Sequence, residues 1–234
     1  MGLYGRLHVP VVYGSTKDRW FAVLKPPGFA GPAAPPLPSV EATLLPFLRQ
    51  GCSLSFPVRP EKQAQGLLIV TSDDAMRKTF DELIRCRLVQ SRFRVLADVS
   101  SVSADSPLTA GKALVERGKF FAVETPVSNH EEEEKVADFE LQSAAMACPA
   151  FPSLQTALYT VTSKASTSAA RQVRASFAMA NAPLLFDSSY HPQFRHLDMD
   201  EGPLKHSHRD LPSPGALAMQ LFELELPDPF RPNQ

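Results

Sequence analysis

The sequence predicts a mixed α/β (α+β) fold with a largely antiparallel sheet, and three patterns carry that expectation. Phe93, Val95, Ala97 and Val99 alternate with Arg92, Arg94, Leu96 and Asp98, the period-two spacing of a half-buried strand. Phe222, Leu224 and Leu226 alternate in the same way with Glu223 and Glu225. Between Ser72 and Arg87 the period lengthens to that of a helix, with Met76, Phe80, Leu83, Ile84 and Arg87 as its inward stripe. Strands with one wet face belong to antiparallel sheets.

Taken in chain order, residues 1–18 form an N-terminal extension. Its first 17 residues hold Arg6 and Lys17, small polar residues and no acid, the composition of an organellar targeting segment. A mitochondrial location is therefore expected, with the cytoplasm as the alternative. Gly2 does not open a myristoylation signal, because Arg6 stands where that signal needs Ser or Thr. A single domain is expected over 19–230, followed by a tail at 231–234. Residues 26–38, dense in Pro, Gly and Ala, predict an extended surface loop. Leu67–Val70 is a short apolar run between turn formers, as in a central strand. Ser72 is the expected N-cap of the first helix, with Asp73 and Asp74 complementing its dipole. A second helix is expected from about Ser168 to Ala180, with Val173 and Phe177 one turn apart and Asn181 closing it. Residues 125–152 and 191–213 read as insertions.

At 234 residues, 44% hydrophobic and 21% charged, the chain has the composition of an ordinary globular protein. No apolar run reaches the length of a membrane helix, so no membrane partner is expected. Cys52, Cys86 and Cys148 are far apart and form no CxxC pair, which argues for buried thiols rather than a zinc site or disulfide framework. His191, His196, His206 and His208 share a polar loop without the fixed spacing of a metal site, and no metal is expected. The net charge of −1 hides an asymmetry. Residues 1–130 hold 16 Lys and Arg against 11 Asp and Glu, whereas 131–140 hold one Lys against six acids. Glu131 to Glu134 read as a solvated loop, with contact to a basic protein as the alternative. Arg77, Lys78, Arg85, Arg87, Arg92 and Arg94 form a dense basic group, by default a solvated face and otherwise candidates for contact with a phosphate backbone.

Several ordered segments carry a family resemblance. Phe56-Pro57-Val58-Arg59-Pro60-Glu61 and the following Gly66-Leu67-Leu68 resemble the active-site loop of pseudouridine synthases of the RluA/RsuA type, which reads His-Arg-Leu-Asp and then Gly-Leu-Leu. Lys25-Pro26-Pro27-Gly28 is similar to their Lys-Pro-x-Gly turn. Ser91 and Phe93 fall where the family has the lysine and tyrosine of Val-x-Lys-x-Tyr. Thr167 to Arg174 resembles Thr-Gly-Arg-Thr-His-Gln-Ile-Arg, and Pro183 to Tyr190 resembles Pro-Ile-Leu-Gly-Asp-Pro-x-Tyr. Gln220 falls in the closing strand, where the family usually has His. The resemblance spans about residues 19–230 and implies the family's catalytic-domain fold, a central sheet flanked by helices.

It also implies a site. Arg59 takes the place of the arginine that holds the RNA open, Arg174 that of the arginine that pairs with the catalytic aspartate, and Glu61 that of the aspartate itself. Phe93 replaces the tyrosine that stacks on the uracil. The extra methylene of Glu61 moves its carboxylate by about 1 Å, a misplacement that can cost roughly 100-fold in rate. Loss of the phenol removes a general acid/base worth roughly 100-fold more. The resemblance thus implies a catalytically inactive, RNA-binding pseudoenzyme acting on structured RNA, ribosomal RNA in particular, in ribosome assembly. The alternatives are an active uridine isomerase using Glu61, and a protein-interaction scaffold whose acidic 131–140 segment and insertions bind ribosomal or assembly proteins. The reaction needs no cofactor, and none is expected.

Overall fold

The structure is a computed structural model, and it describes residues 9–14, 19–33, 38–48, 51–102, 114–117, 120–123, 135–149, 151–164, 169–197 and 216–229. Nine strands build one sheet among these residues: β1 (Val11–Gly14), β2 (Trp20–Lys25), β3 (Gln65–Thr71), β4 (Gln90–Asp98), β5 (Leu114–Arg117), β6 (Phe120–Val123), β7 (Lys135–Cys148), β8 (Phe151–Ser163) and β9 (Met219–Glu225). Their spatial order is β1-β2-β3-β9-β4-β8-β7-β5-β6. Every pairing is antiparallel except β3 with β9, which run parallel through Gln65↔Gln220 and Gly66↔Leu221. Three α-helices lie among the described residues: α1 (Val40–Leu44), α2 (Asp74–Arg85) and α3 (Ala169–Met179). The mixed α/β class with a largely antiparallel sheet is as the sequence predicts.

The β3–β9 junction explains Gly66. Its φ is +130°, and a Cβ there would overlap the backbone of Leu221. Only glycine lets the two strands approach this closely. From this junction the core spreads along one face of the sheet. Phe93, Val95 and Ala97 of β4, Tyr159 and Val161 of β8, and Leu221 of β9 pack against Ala169, Ala170, Val173 and Phe177 of α3. Phe177 is fully buried and meets Tyr159 edge-on at 5.2 Å, so its truncation to Ala would cost about 3–5 kcal/mol.

Several sequence expectations need correction. The N-cap of α2 is Asp73, not Ser72: Asp73 has the extended backbone of a cap, and its Oδ1 accepts from Met76 N–H at 2.9 Å. Arg87 lies beyond the helix at φ 55°, so it is no part of the inward stripe. The helix ends there in a Schellman turn, with Leu88 N–H donating to Leu83 and Arg87 N–H to Ile84. Residues 222–226 do not alternate as expected. A bulge pairs Arg92 with Glu223 but Phe93 with Leu221, leaving Phe222 as the extra residue. The stretch expected as a surface loop at 26–38 includes buried Phe29 and Ala30, and Ala30 bridges Ser39. Within the expected insertion at 125–152, residues 135–148 extend the sheet as β7. Glu131 to Glu134, His206 and His208 lie outside the described residues. The second helix and its end match expectation: Asn181 sits at φ 58°, with Ala182 N–H donating to Phe177 and Asn181 N–H to Ala178.

Candidate active-site cleft

The loop carrying Arg59 and Glu61 is held on three sides. Ile69 N–H of β3 donates to Val58 at 2.9 Å, Leu217 N–H ahead of β9 donates to Gln63 at 3.0 Å, and Gly28 N–H donates to Lys62 at 3.0 Å. Lys25 adds the fourth tie. Its side chain is buried, and Nζ donates to the carbonyls of Phe29 at 3.0 Å, Lys62 at 2.9 Å and Ala64 at 2.5 Å, with Pro26 O at 3.1 Å. Burial pulls its pKa down from 10.5 to about 7. The Lys-Pro-Pro-Gly turn is therefore the clamp that sets where Glu61 stands.

From the other side α3 presents Arg174, buried at its helix position beside Val173 and Phe177. Its guanidinium joins two carboxylates. Nη1 pairs with Glu61, while Nε and Nη2 make a bidentate pair with Asp187 at 2.8 and 2.7 Å. Asp187 is wholly buried and accepts two further bonds, from the N–H groups of Ser189 at 3.0 Å and Tyr190 at 3.1 Å. Four donors fix the Asp187 carboxylate in place, and it orients Arg174. Glu61 retains 21% side-chain exposure and has Arg171, itself 75% exposed, at 3.6 Å. The Tyr190 ring lies 5.3 Å from the Arg174 guanidinium carbon.

Arg59 and Phe93 share a second part of the site, which neither Glu61 nor Arg174 lines. Together with Ser91, Ala169, Ala170 and Leu221 they line a cavity of about 20 Å³, room for one water molecule. Phe93 is only 2% exposed, whereas Arg59 is exposed. The first turn of α3 thus adjoins Arg59 and Phe93, and its next turn holds Glu61.

Of the six cations expected to face RNA, five have carboxylate or aromatic partners of their own and two of these lie across the sheet from Phe93. Arg77 pairs with Asp74 and Asp81, Lys78 with Asp74, and Arg85 with Glu82, all along exposed α2. Arg92 and Arg94 alternate with Phe93 along β4, which turns them to the opposite face of the sheet. There Arg92 pairs with Glu223 at 3.0 Å and Arg94 stacks 4.6 Å over Phe222. Arg87 is half-buried past the end of α2. Among the described residues, Arg59 and Arg171 are exposed cations at the cleft.

Three site residues escaped the sequence reading. Lys25 and Asp187 lay inside motifs already singled out, but nothing in their spacing says that one would meet a ring of carbonyls and the other a guanidinium. Arg171 had a signal, since it precedes Arg174 by one helical turn. His191 is buried, with Nε2 3.3 Å from Asp98 Oδ2 but not aligned for a hydrogen bond. Burial lowers its pKa against the opposing pull of Asp98 and Asp187. Among the described residues no group of three His, Cys, Asp or Glu is placed to hold a metal ion, and no helix is long and apolar enough to cross a membrane.

No family model matches the sequence, and no curated protein matches it. Solved structures do. The chain is similar to human RNA pseudouridylate synthase domain containing 1, with a TM-score of 0.58 and 14% identity over 98% of this chain and 87% of that one. It is also similar to human RNA pseudouridylate synthase domain containing 4, with a TM-score of 0.53 and 17% identity over 92% of this chain and 83% of that one. Backbone topology persists where identity is this low, because core volume and patterning tolerate wide substitution. The chain has the pseudouridine synthase fold.

Proposed function

We propose that this chain binds structured RNA through the cleft around Arg59, Glu61, Arg171 and Arg174 and does not isomerise uridine there. The observation that carries the reading is Phe93. It stands where the resemblance puts a tyrosine, it has no phenol to move a proton, and its ring is 2% exposed beside a cavity of about 20 Å³. Asp187 offers no substitute base, since it is wholly buried and engaged by four donors. Among the described residues of this site, Glu61 is the carboxylate open enough to meet a substrate, and it is tied to two arginines. Arg59 and Arg171 supply exposed positive charge at the mouth, suited to phosphate contact. A role on ribosomal RNA during ribosome assembly in an organelle extends this reading.

Mapping of pseudouridine by mass spectrometry in RNA from cells carrying wild type, Glu61→Ala or a deletion tests it. The expected result is the same set of pseudouridines in all three, with RNA crosslinked to both forms of the protein. A uridine that loses its modification in both the deletion and the Glu61→Ala cells, while the variant still binds RNA, establishes the active-enzyme alternative.

A further inference from the structure

Glu61 stands between two arginines that differ in what they can still bind. Arg174 is 6% exposed, with Nη1 on Glu61 and with Nε and Nη2 on Asp187 at 2.8 and 2.7 Å, so its donors are committed. Arg171, one turn earlier on α3, is 75% exposed, and among the described residues Glu61 is its ion-pair partner. The charges divide accordingly. The Arg174 guanidinium and the Asp187 carboxylate cancel within the core, which leaves the charge of Glu61 to be answered by Arg171 at the surface.

That outer pair is the weak one. Arg171 Nε and Glu61 Oε1 are 3.6 Å apart, beyond a hydrogen bond, so charge attraction alone joins them in a place open to water. A phosphate engages a guanidinium through two parallel N–H bonds, which makes it the stronger partner. Glu61 cannot follow Arg171 outward. Its other oxygen is held by Arg174, and backbone bonds tie Val58, Lys62 and Gln63 of its loop to Ile69, Gly28 and Leu217.

Resting on the RNA-binding reading, we propose that the Arg171 guanidinium is a phosphate-binding site of the cleft and that Glu61 is its built-in competitor, a carboxylate that a backbone phosphate of RNA displaces. When phosphate takes Arg171, Glu61 keeps Arg174. The competition weakens this contact for every phosphate chain alike, so an RNA is retained only if it makes further contacts, Arg59 among them. Glu61 then lowers affinity rather than supplying it.

The test is filter binding of a synthetic RNA stem-loop, across a salt series, to the full chain as wild type, Glu61→Gln, Arg171→Ala and the double variant. Glu61→Gln keeps the side-chain length and an acceptor for Arg174, and circular dichroism verifies its fold; Glu61→Ala repeats the measurement with a second side chain. The expected result for both Glu61 variants is affinity raised about fivefold at low salt and a salt dependence steeper by about one unit. In the Arg171→Ala background the gain falls below about twofold. Weaker binding by the Glu61 variants means that the carboxylate itself contacts RNA, unchanged binding means that the pair is structural only, and an equal gain in both backgrounds means that net charge alone acts. Each of these overturns the proposal and leaves RNA binding standing. Absence of binding by wild type and Glu61→Gln at every salt concentration overturns the RNA-binding reading as well.

Discussion

Replacing Arg174 by Met keeps a long apolar stem at the same position of α3 and removes the guanidinium that joins Glu61 and Asp187. The two carboxylates then fare differently. Glu61, 21% exposed, turns toward water, and its lost pair costs little. Asp187 has no exposed side-chain surface and keeps only the N–H groups of Ser189 and Tyr190, at 3.0 and 3.1 Å. Stranding one partner of a buried pair costs about 3–5 kcal/mol. The two surviving bonds place this case near the lower end, at about 3 kcal/mol. With a urea m-value of about 2–3 kcal/mol/M, the midpoint falls by about 1–1.5 M at unchanged m. Trp20, 7% exposed and alone in the chain, follows the transition by fluorescence. Asp187→Asn in the Arg174→Met background removes the stranded charge and restores about 1–2 kcal/mol, whereas in the wild type the same change destabilises. A loss under about 1 kcal/mol for Arg174→Met, or strictly additive effects in the double variant, would refute the buried-anchor reasoning.

Lys25 predicts a pH dependence. Its pKa falls from 10.5 unfolded to about 7 folded, so between these values the unfolded chain binds more protons and stability rises with pH. Lys25→Met should lack that rise, which denaturation at pH 7 and pH 9 checks. Gly66→Ala should destabilise by at least about 3 kcal/mol or prevent soluble expression, because a Cβ there overlaps Leu221 backbone at φ +130°; a thermal melt matching wild type would contradict it. Replacing Arg59 and Arg171 by Ala should weaken RNA binding across sequences and flatten its salt dependence by about one unit for each phosphate left without its cation. Replacing Arg92 and Arg94, on the opposite face, should change affinity less, and a filter-binding salt titration of both pairs compares them.

Much of the fold was legible because its signals are local. The alternation through β4, the apolar run of β3 and the stripe of α2 are properties of neighbouring residues, and so are the Asn181 turn and the helix before it. The bulge at Phe222 was not legible, because the extra residue exists only relative to the partner strand. The reach of β7 into the sheet was obscured by the acids beside it. At the N-cap of α2, Ser72, Asp73 and Asp74 are all good caps, and the choice of Asp73 depends on how Thr71 leaves β3, its hydroxyl accepting from Asp73 N–H.

By itself the sequence determined the order of the motifs and the residue types within them: an arginine and a glutamate before Gly66, phenylalanine at 93, and arginines one turn apart on a helix. Those choices set which chemistry is present and which is missing. Only the tertiary structure decided which charges meet. It put Arg174 between Glu61 and Asp187, residues 113 and 13 positions away in the chain, and sent Arg92 and Arg94 to the face opposite Phe93. The physical reason is that a strand or helix period specifies which side a residue takes within its own element, whereas the partner across the gap is fixed by packing. Coulomb interactions follow distance in space, not in sequence.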